Sequence, residues 1–375
     1  MKVDLVVVGA SFAGLACARA AAARGCSVVV VEKKQSSGTK LHTTGIIVKD
    51  AIDSVAWLAE VPRDLVRRID GVRLYAPDLR HIDLFAPGYY FWATDAPALL
   101  DWMVQSVRAD GVDVRLATLF DHAVRKPGGW QLILPSGEML ESRYLVGADG
   151  PHSRVAKSLG LSSNTEFLFG VEHEYAQARL ADNLLHCFVD RSLAPGYIGW
   201  ALAGVGVSQI GLARRLPAQH AAHHKPGGSP PVRVEALLQK ISGVVQTDGV
   251  QPVAVRAGMI PCGGLLTRVS CAGALLVGDA AGMVSPVTAG GIHTALLHGE
   301  QAGAGIGRFL AGECADPAGW LVAQYPRFRA KRALRWLFDH CQTDWMFNCL
   351  LGTKAMRRAA ELVYFHRKGG VSLRK

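Results

Sequence analysis

The chain has 375 residues, half of them apolar, with 41 basic and 31 acidic side chains and a formal net charge of +10. That size and apolarity allow a large buried core, which excludes a disordered protein and predicts two closely joined domains. Eight cysteines, at 17, 26, 187, 262, 271, 314, 341 and 349, form no C-x-x-C pair; this argues against a zinc ribbon or thioredoxin-like site and fits packing roles in a reducing cytosol.

The first predicted element is a buried parallel strand over the β-branched run at 4–8. Gly9 allows a tight turn, and Gly14 lets the Ala-rich helix predicted over 12–24 pack closely on that strand. Gly25 is a suitable helix stop, and Glu32 closes the second strand, Val28-Val29-Val30-Val31. Strand, glycine turn, helix, strand and acid in this order form a dinucleotide cradle. The helix N-terminus faces the pyrophosphate, and the carboxylate accepts hydrogen bonds from ribose hydroxyls. Ser11 takes the place of the second glycine of the fingerprint and is small enough for close backbone approach.

Further along, 64–95 is strand-rich, 97–109 is a helix, and 112–148 returns as strands to the cradle. A second motif, Gly147-Ala148-Asp149-Gly150-Pro151-His152-Ser153-Arg154, follows an apolar strand. Residues 165–260 read as antiparallel strands, including Leu184 to Val189, that floor a pocket. Within them, Gly204 to Gly211 alternates like a strand with no helix after it, so it is sheet rather than a phosphate loop. The segment 217–231 holds His220, His223 and His224 among Pro and Gly, and reads as a surface loop with no metal site. The third motif is Gly278-Asp279-Ala280-Ala281-Gly282 with Gly290-Gly291-Ile292-His293. Its acid can bind a polyol chain, and its glycine pair can start a helix whose amides face an anionic ring. The region 317–375 is mainly helical.

The three motifs, in this order and spacing, resemble the FAD-dependent family of aromatic hydroxylases, flavin halogenases and geranylgeranyl reductases. The resemblance spans roughly residues 1–310. It implies an α/β fold: a Rossmann-like FAD domain of the glutathione-reductase type, an interleaved antiparallel-sheet substrate domain, and a helical C-terminus. The expected boundaries are 1–63, 96–164 and 261–316 for the FAD domain, 64–95 and 165–260 for the sheet domain, and 317–375 for the C-terminal region. FAD contacts are implied for Gly9, Ser11, Ala13, Gly14, Glu32 and Lys33 at the adenosine and pyrophosphate end. Thr44, Gly45 and Asp149 are implied further along, and Gly278, Asp279, Gly290, Gly291 and Ile292 at the ribityl and ring end.

Within the family the reductases fit best. The run Gly278 to Pro286 with Gly290-Gly291-Ile292 looks like theirs, and Gly196-Tyr197-Ile198-Gly199-Trp200 is similar to their glycine-tyrosine-tryptophan strand. The halogenase tryptophan-x-tryptophan-x-isoleucine-proline run is absent, and Thr94-Asp95-Ala96-Pro97 stands where hydroxylases carry an arginine. The loop at 40–47 lacks the cysteine-glycine pair that archaeal-type reductases often have there.

The expected reaction is therefore hydride transfer from reduced FAD to a carbon–carbon double bond of an apolar, isoprenoid-like molecule. A proton donor must assist; His42 and Tyr197 are the candidates, with His293 ranked below them. No separate NAD(P)H domain is apparent, so electrons arrive from NAD(P)H docked near the flavin or from a protein donor. The alternatives are an NAD(P)H-dependent flavin monooxygenase and a membrane-associated electron carrier to quinones.

The charge is concentrated at the end of the chain. Residues 325–375 hold 12 basic and three acidic side chains, interleaved with Trp336, Trp345 and Phe347. This pattern suits peripheral contact with an anionic membrane, or a helical layer that covers the core with solvated charges. A cytoplasmic, membrane-peripheral location is expected. No nucleic-acid fold accompanies the charge, and nothing in the sequence sets an oligomeric state.

Overall fold

The computed structural model describes residues 1–39, 41, 43–176, 178, 180, 182–217, 232–247 and 249–365. His42 and the histidine loop at 218–231 lie outside them. The organising element is a mostly parallel sheet in the order Ser270–Cys271, Ala274–Leu276, Met139–Gly147, Lys2–Val8, Val28–Val31, Asp113–Arg115. The hairpin His122–Lys126 and Gly129–Ile133 extends it from Met139–Gly147. Val28 to Val31 are buried throughout, as a strand covered on both faces requires.

The helix Phe12–Ala22 and the 19-residue helix Ile292–Leu310 cover one face together. Their spacing is set by glycines one turn apart. A Cβ on Gly299 would lie 2.4 Å from the Ala13 carbonyl oxygen, and one on Gly303 would lie 2.1 Å from that of Cys17. The two backbones touch directly, so the ends of both helices are held in fixed relation beneath the sheet's carboxyl edge.

A seven-stranded sheet runs Ala254–Pro261, Phe167–Tyr175, Ser208–Arg215, Gly199–Ala203, Leu184–Phe188, Gly71–Tyr75, His81–Leu84. All its pairs are antiparallel except Leu184–Phe188 with Gly71–Tyr75. Side chains alternate across it: Leu74, Leu185 and Cys187 line a cavity, whereas Tyr75 and Phe188 pack with Val234 and Leu237 of the helix Val234–Lys240 behind. A small third sheet, Ile46–Val48, Phe91–Thr94 and Val66–Ile69, packs Ile47 and Trp92 into the core of the first and Ile69 and Phe91 into that of the second.

The glycine run at 204–211 divides. Strand begins only at Ser208. Gly204 to Val207 form the hairpin turn, closed by the Gly204 amide on the Val207 carbonyl at 2.7 Å.

At the C-terminal end, helices Ala318–Gln324, Arg329–Cys341, Asp344–Leu350 and Lys354–Phe365 follow one another. They are a packed layer rather than a free tail. Phe365 is fully buried, its ring 5.5 Å from that of Tyr89 and 5.9 Å from that of Phe91. The outer face of the same layer leaves Trp336 60% and Trp345 75% exposed. The layer therefore covers the core on one side and leaves large aromatic side chains exposed on the other. Among the described residues no helix is long and apolar enough to cross a membrane, and all eight cysteines are free thiols.

Candidate active site

The turn after the first strand fits its neighbours too closely for any side chain. Gly9 has φ +107°, and a Cβ there would lie 2.4 Å from the Ala148 carbonyl oxygen. A Cβ on Gly14 would lie 2.0 Å from the Gly9 carbonyl oxygen. Ser11 does more than stay small. Its hydroxyl donates to the Ala148 carbonyl at 3.0 Å and accepts from the Gly14 amide at 3.3 Å, so it is the N-cap of the cradle helix. The glycine fingerprint asks only for a small residue here, so this capping role carries no local sequence signal.

Glu32 is 6% exposed and accepts the Ala10 amide at 2.9 Å and the Lys34 amide at 2.9 Å. A carboxylate offers about four lone-pair positions, so two remain for ribose hydroxyls. Asp279, in the one-turn helix Gly278–Ala281, is half-buried beside Gly291, which caps the helix Ile292–Leu310. Burial alone raises its carboxyl to about 6. No described group hydrogen-bonds that carboxylate, so it faces the cavity as an unpaired acceptor.

Asp149 is already occupied. It accepts the Ser153 hydroxyl at 2.6 Å and the amides of Arg154 at 2.7 Å and Val155 at 3.1 Å. It braces its own loop at the cavity wall. Asn164, which the motifs did not single out, ties the second and third motif loops by donating to the carbonyls of Pro151 at 3.1 Å and Asp279 at 2.9 Å.

These loops line one cavity of about 1310 Å³, larger than the roughly 300–1,000 Å³ of a site for one small ligand. Gly9, Ser11, Ala13, Glu32, Lys33, Thr44 and Asp149 lie along it, as do Gly278, Asp279, Gly290, Gly291 and Ile292. Gly14 and Gly45 stand behind the wall. Gly45 accepts the Thr94 hydroxyl at 2.8 Å and so fixes the loop that carries Thr44. In place of the hydroxylase arginine, Asp95 caps the helix Ala96–Ala109 by accepting the Ala98 amide at 3.1 Å.

The acid candidates separate. Tyr197 lines the cavity but sits in the turn ahead of the strand Gly199–Ala203, not on the sheet. Burial and Cys187 hold its hydroxyl far above the ordinary tyrosine range. His293 does not line the cavity; its Nε2 lies 3.5 Å from Ser54 Oγ.

The remainder of the cavity is apolar. Leu74, Leu185 and Val189 form its sheet side, and Phe338, Met346, Phe347 and Met356 of the C-terminal helices its roof. Leu337, 47% exposed, and Leu350, 39% exposed, also line it, so it opens at the outer face of those helices. The cradle thus offers ribose, pyrophosphate and polyol contacts at one end of an otherwise apolar chamber, a fit to a flavin dinucleotide.

Comparison with known proteins agrees. The FAD binding domain family matches residues 82–337, and the FAD dependent oxidoreductase family matches 4–70. Digeranylgeranylglycerophospholipid reductase 2 of Methanopyrus kandleri is 30% identical over 320 residues, covering 81% of this chain and 76% of the relative. The chain belongs to the FAD-dependent geranylgeranyl reductase family. Digeranylgeranylglycerophospholipid reductase 2 of Methanothermobacter thermautotrophicus is 25% identical over 351 residues, covering 90% of this chain and 83% of the relative.

The flavoprotein's fold is shared more widely than its sequence. A geranylgeranyl bacteriochlorophyll reductase-like protein from Thermoplasma acidophilum superposes with TM-score 0.79 at 16% identity, covering 98% of this chain and 97% of its own. A myxobacterial chondrochloren halogenase superposes with TM-score 0.71 at 16% identity, covering 99% and 91%. The protein is an FAD-dependent oxidoreductase. The cradle offers backbone amides, hydroxyls and carboxylates, so FAD is expected to be held noncovalently and acid precipitation to leave it in the supernatant. Colour retained in the pellet would show a covalent bond that none of these residues explains.

Proposed function

We propose that the enzyme saturates carbon–carbon double bonds in the isoprenoid chains of a lipid, a reading supported by its relatives named digeranylgeranylglycerophospholipid reductase. The observation that carries this reading is the single cavity running from the cradle into an apolar chamber that opens at the C-terminal helices. Bound FAD, once reduced, supplies hydride. The chain's own residues hold the cofactor through Glu32 and Asp279, lay the apolar chain against Leu185, Val189 and Phe338, and exclude water from it. The reductant is NAD(P)H, docked without a domain of its own, or a protein donor.

The test is anaerobic. Protein reduced by dithionite is mixed with a phospholipid bearing geranylgeranyl chains, and the lipid is analysed by mass spectrometry. Saturated product with stoichiometric flavin reoxidation is expected. Oxygen consumption matched to a hydroxylated product would support monooxygenase chemistry instead.

The chamber's opening also bears on location. Leu337 and Leu350 lie at the mouth, and Trp336 and Trp345 stand exposed on the same two helices, with Arg329 and Arg358 exposed on this layer. We infer that this face rests on an anionic membrane from which the lipid enters. Each basic residue near such a surface contributes about 1 kcal/mol, screened by salt. Sedimentation with anionic vesicles is expected to exceed that with neutral ones and to weaken as salt rises. Arg329→Glu with Arg358→Glu should lower it while leaving the flavin spectrum intact. Arg357 is a poorer choice, because it donates to the Asp83 carbonyl at 2.9 Å and helps pack its helix. Failure of the wild type to sediment with anionic vesicles at low salt would rule this inference out.

A further inference from the structure

Where the flavin-side loop meets the substrate sheet, the cavity wall contains a buried acid that the motifs did not identify. Glu172, on the strand Phe167–Tyr175, is 3% exposed and lines the cavity. Its Oε2 accepts the Thr44 hydroxyl at 2.6 Å and the Trp200 indole N–H at 2.8 Å, and its Oε1 faces Gln209 Nε2 at 3.4 Å. Gln209 also donates to the Thr44 carbonyl at 3.2 Å and to Glu174 at 3.3 Å, and Arg256 pairs with Glu174 at 2.5 Å and reaches the Thr43 carbonyl at 3.2 Å.

Two buried carboxylates thus share one arginine, and that arginine lies on Glu174. A single proton on Glu172 neutralises the cluster. Burial and the Glu174 charge raise the Glu172 carboxyl, while Thr44, Trp200 and Arg256 oppose them; the net shift is upward. The indole of Trp200 lies across the sheet. A Cβ on Gly211 would be 2.5 Å from its ring, and one on Gly170 would be 3.8 Å away. The ring is pinned at its N–H by Glu172 and shares the cavity wall with it.

Resting on the alkene-reduction reading, we propose that Glu172 is the proton donor of the reaction, with Trp200 beside it as the aromatic face that stabilises positive charge developing on the alkene. The π bond of a trisubstituted alkene breaks. The Glu172 O–H bond breaks with it, and its proton forms a C–H bond at the less substituted carbon. The more substituted carbon, where positive charge is best borne, takes a hydride with both its electrons from the reduced flavin. Saturated product, oxidised flavin and a Glu172 carboxylate remain, and the carboxylate regains a proton from solvent. A cation held over an indole is favourable by electrostatics, and a positioned acid contributes about 10²–10⁴-fold.

Glu172→Gln keeps an acceptor for Thr44 and Trp200 but has no acidic proton. In this variant dithionite is expected to bleach the flavin as in the wild type, and the half-saturating lipid concentration should hold. Anaerobic reoxidation by the geranylgeranyl phospholipid should slow about 100-fold or more, and Glu172→Asp should recover part of the rate. The wild-type rate should fall as pH rises through the raised Glu172 carboxyl, a dependence lost in Glu172→Gln. Independently of turnover, the infrared difference between wild type and Glu172→Gln at neutral pH should show the C=O stretch of a protonated carboxyl that shifts in D₂O.

A wild type reoxidised by the alkene with Glu172→Gln equally fast overturns the proposal alone, as does a difference spectrum showing only carboxylate. A wild type that the alkene never reoxidises overturns the alkene reading, and this assignment with it. Should Glu172→Gln not fold, the wild-type profile decides: a rate flat or rising with pH overturns the proposal.

Discussion

Asp279→Ala is expected to release FAD on gel filtration, with affinity roughly ten- to a hundredfold below wild type, because a hydrogen bond to a charged acceptor is worth about 1.5–3 kcal/mol. Asp279 is the one cradle acid with no described partner of its own, so ribityl hydroxyls would satisfy it fully. Ser11→Ala should be milder for FAD. It removes a helix cap, worth about 1 kcal/mol of stability, but keeps the small size that the backbone approach needs. The same acid makes binding pH-dependent. Burial raises its carboxyl from 3.8 to about 6, and the ionised form is the better acceptor. Affinity should therefore be constant above about 6 and fall by up to about tenfold per pH unit below it. In the FAD-free protein the sign reverses: ionising a carboxyl whose folded value is raised costs stability, and the cost grows between 3.8 and about 6 and is full above. Acid thus stabilises the empty fold through this group while weakening the complex. Fluorescence titration of FAD across this range reads the first effect, and thermal melts of wild type against Asp279→Asn read the second. Unchanged affinity in Asp279→Ala would remove Asp279 from the FAD site.

Gly303→Val is expected to destabilise the whole protein by about 1–3 kcal/mol or more. Its new Cβ would lie 2.1 Å from a backbone oxygen of Cys17 and 2.9 Å from the Ala20 Cβ, and a backbone atom cannot swing aside as a side chain can. The two cradle helices must separate, and the turn at Gly9 and Gly14 moves with one of them. Melting temperature and FAD affinity should fall together. Gly319→Ala is the control. Nothing lies within 4 Å of its Cβ position, so the better helix propensity of alanine should leave stability unchanged or slightly higher. Equal melting temperatures for Gly303→Val and wild type would show that the helices are not held at that spacing.

The cradle was legible because its chemistry is local. Gly9, Gly14, Glu32, Asp279 and the Gly290-Gly291 pair are recognisable from neighbours a few residues away in sequence. Glu172 was not, because its partners Thr44, Trp200 and Gln209 come from three distant segments that only the sheet brings together. A signal existed: two acids, Glu172 and Glu174, at i and i+2 in the β-prone run Val171 to Tyr175 place two carboxylates on one face of a buried strand. The cap made by Ser11 was not legible, because the fingerprint asks only for smallness there, whereas the hydroxyl finds Ala148 across 137 positions of chain. Tyr197 lies in the turn ahead of the sheet rather than on it, and an aromatic two residues before a strand looks the same in sequence as one within it.

The roof of the chamber is made of the helices synthesised after every other described element. Chains emerge from the ribosome N-terminus first, and domains fold largely in that order. The cradle, complete by Leu310, can form and take up its dinucleotide while the apolar wall of Leu74, Leu185 and Val189 still lacks Phe338, Phe347 and Phe365. During that interval the nascent protein displays an uncovered greasy floor beside a finished cofactor site. Early cofactor loading and shielding of that floor by a chaperone or a nearby bilayer would then govern how much active enzyme a cell recovers.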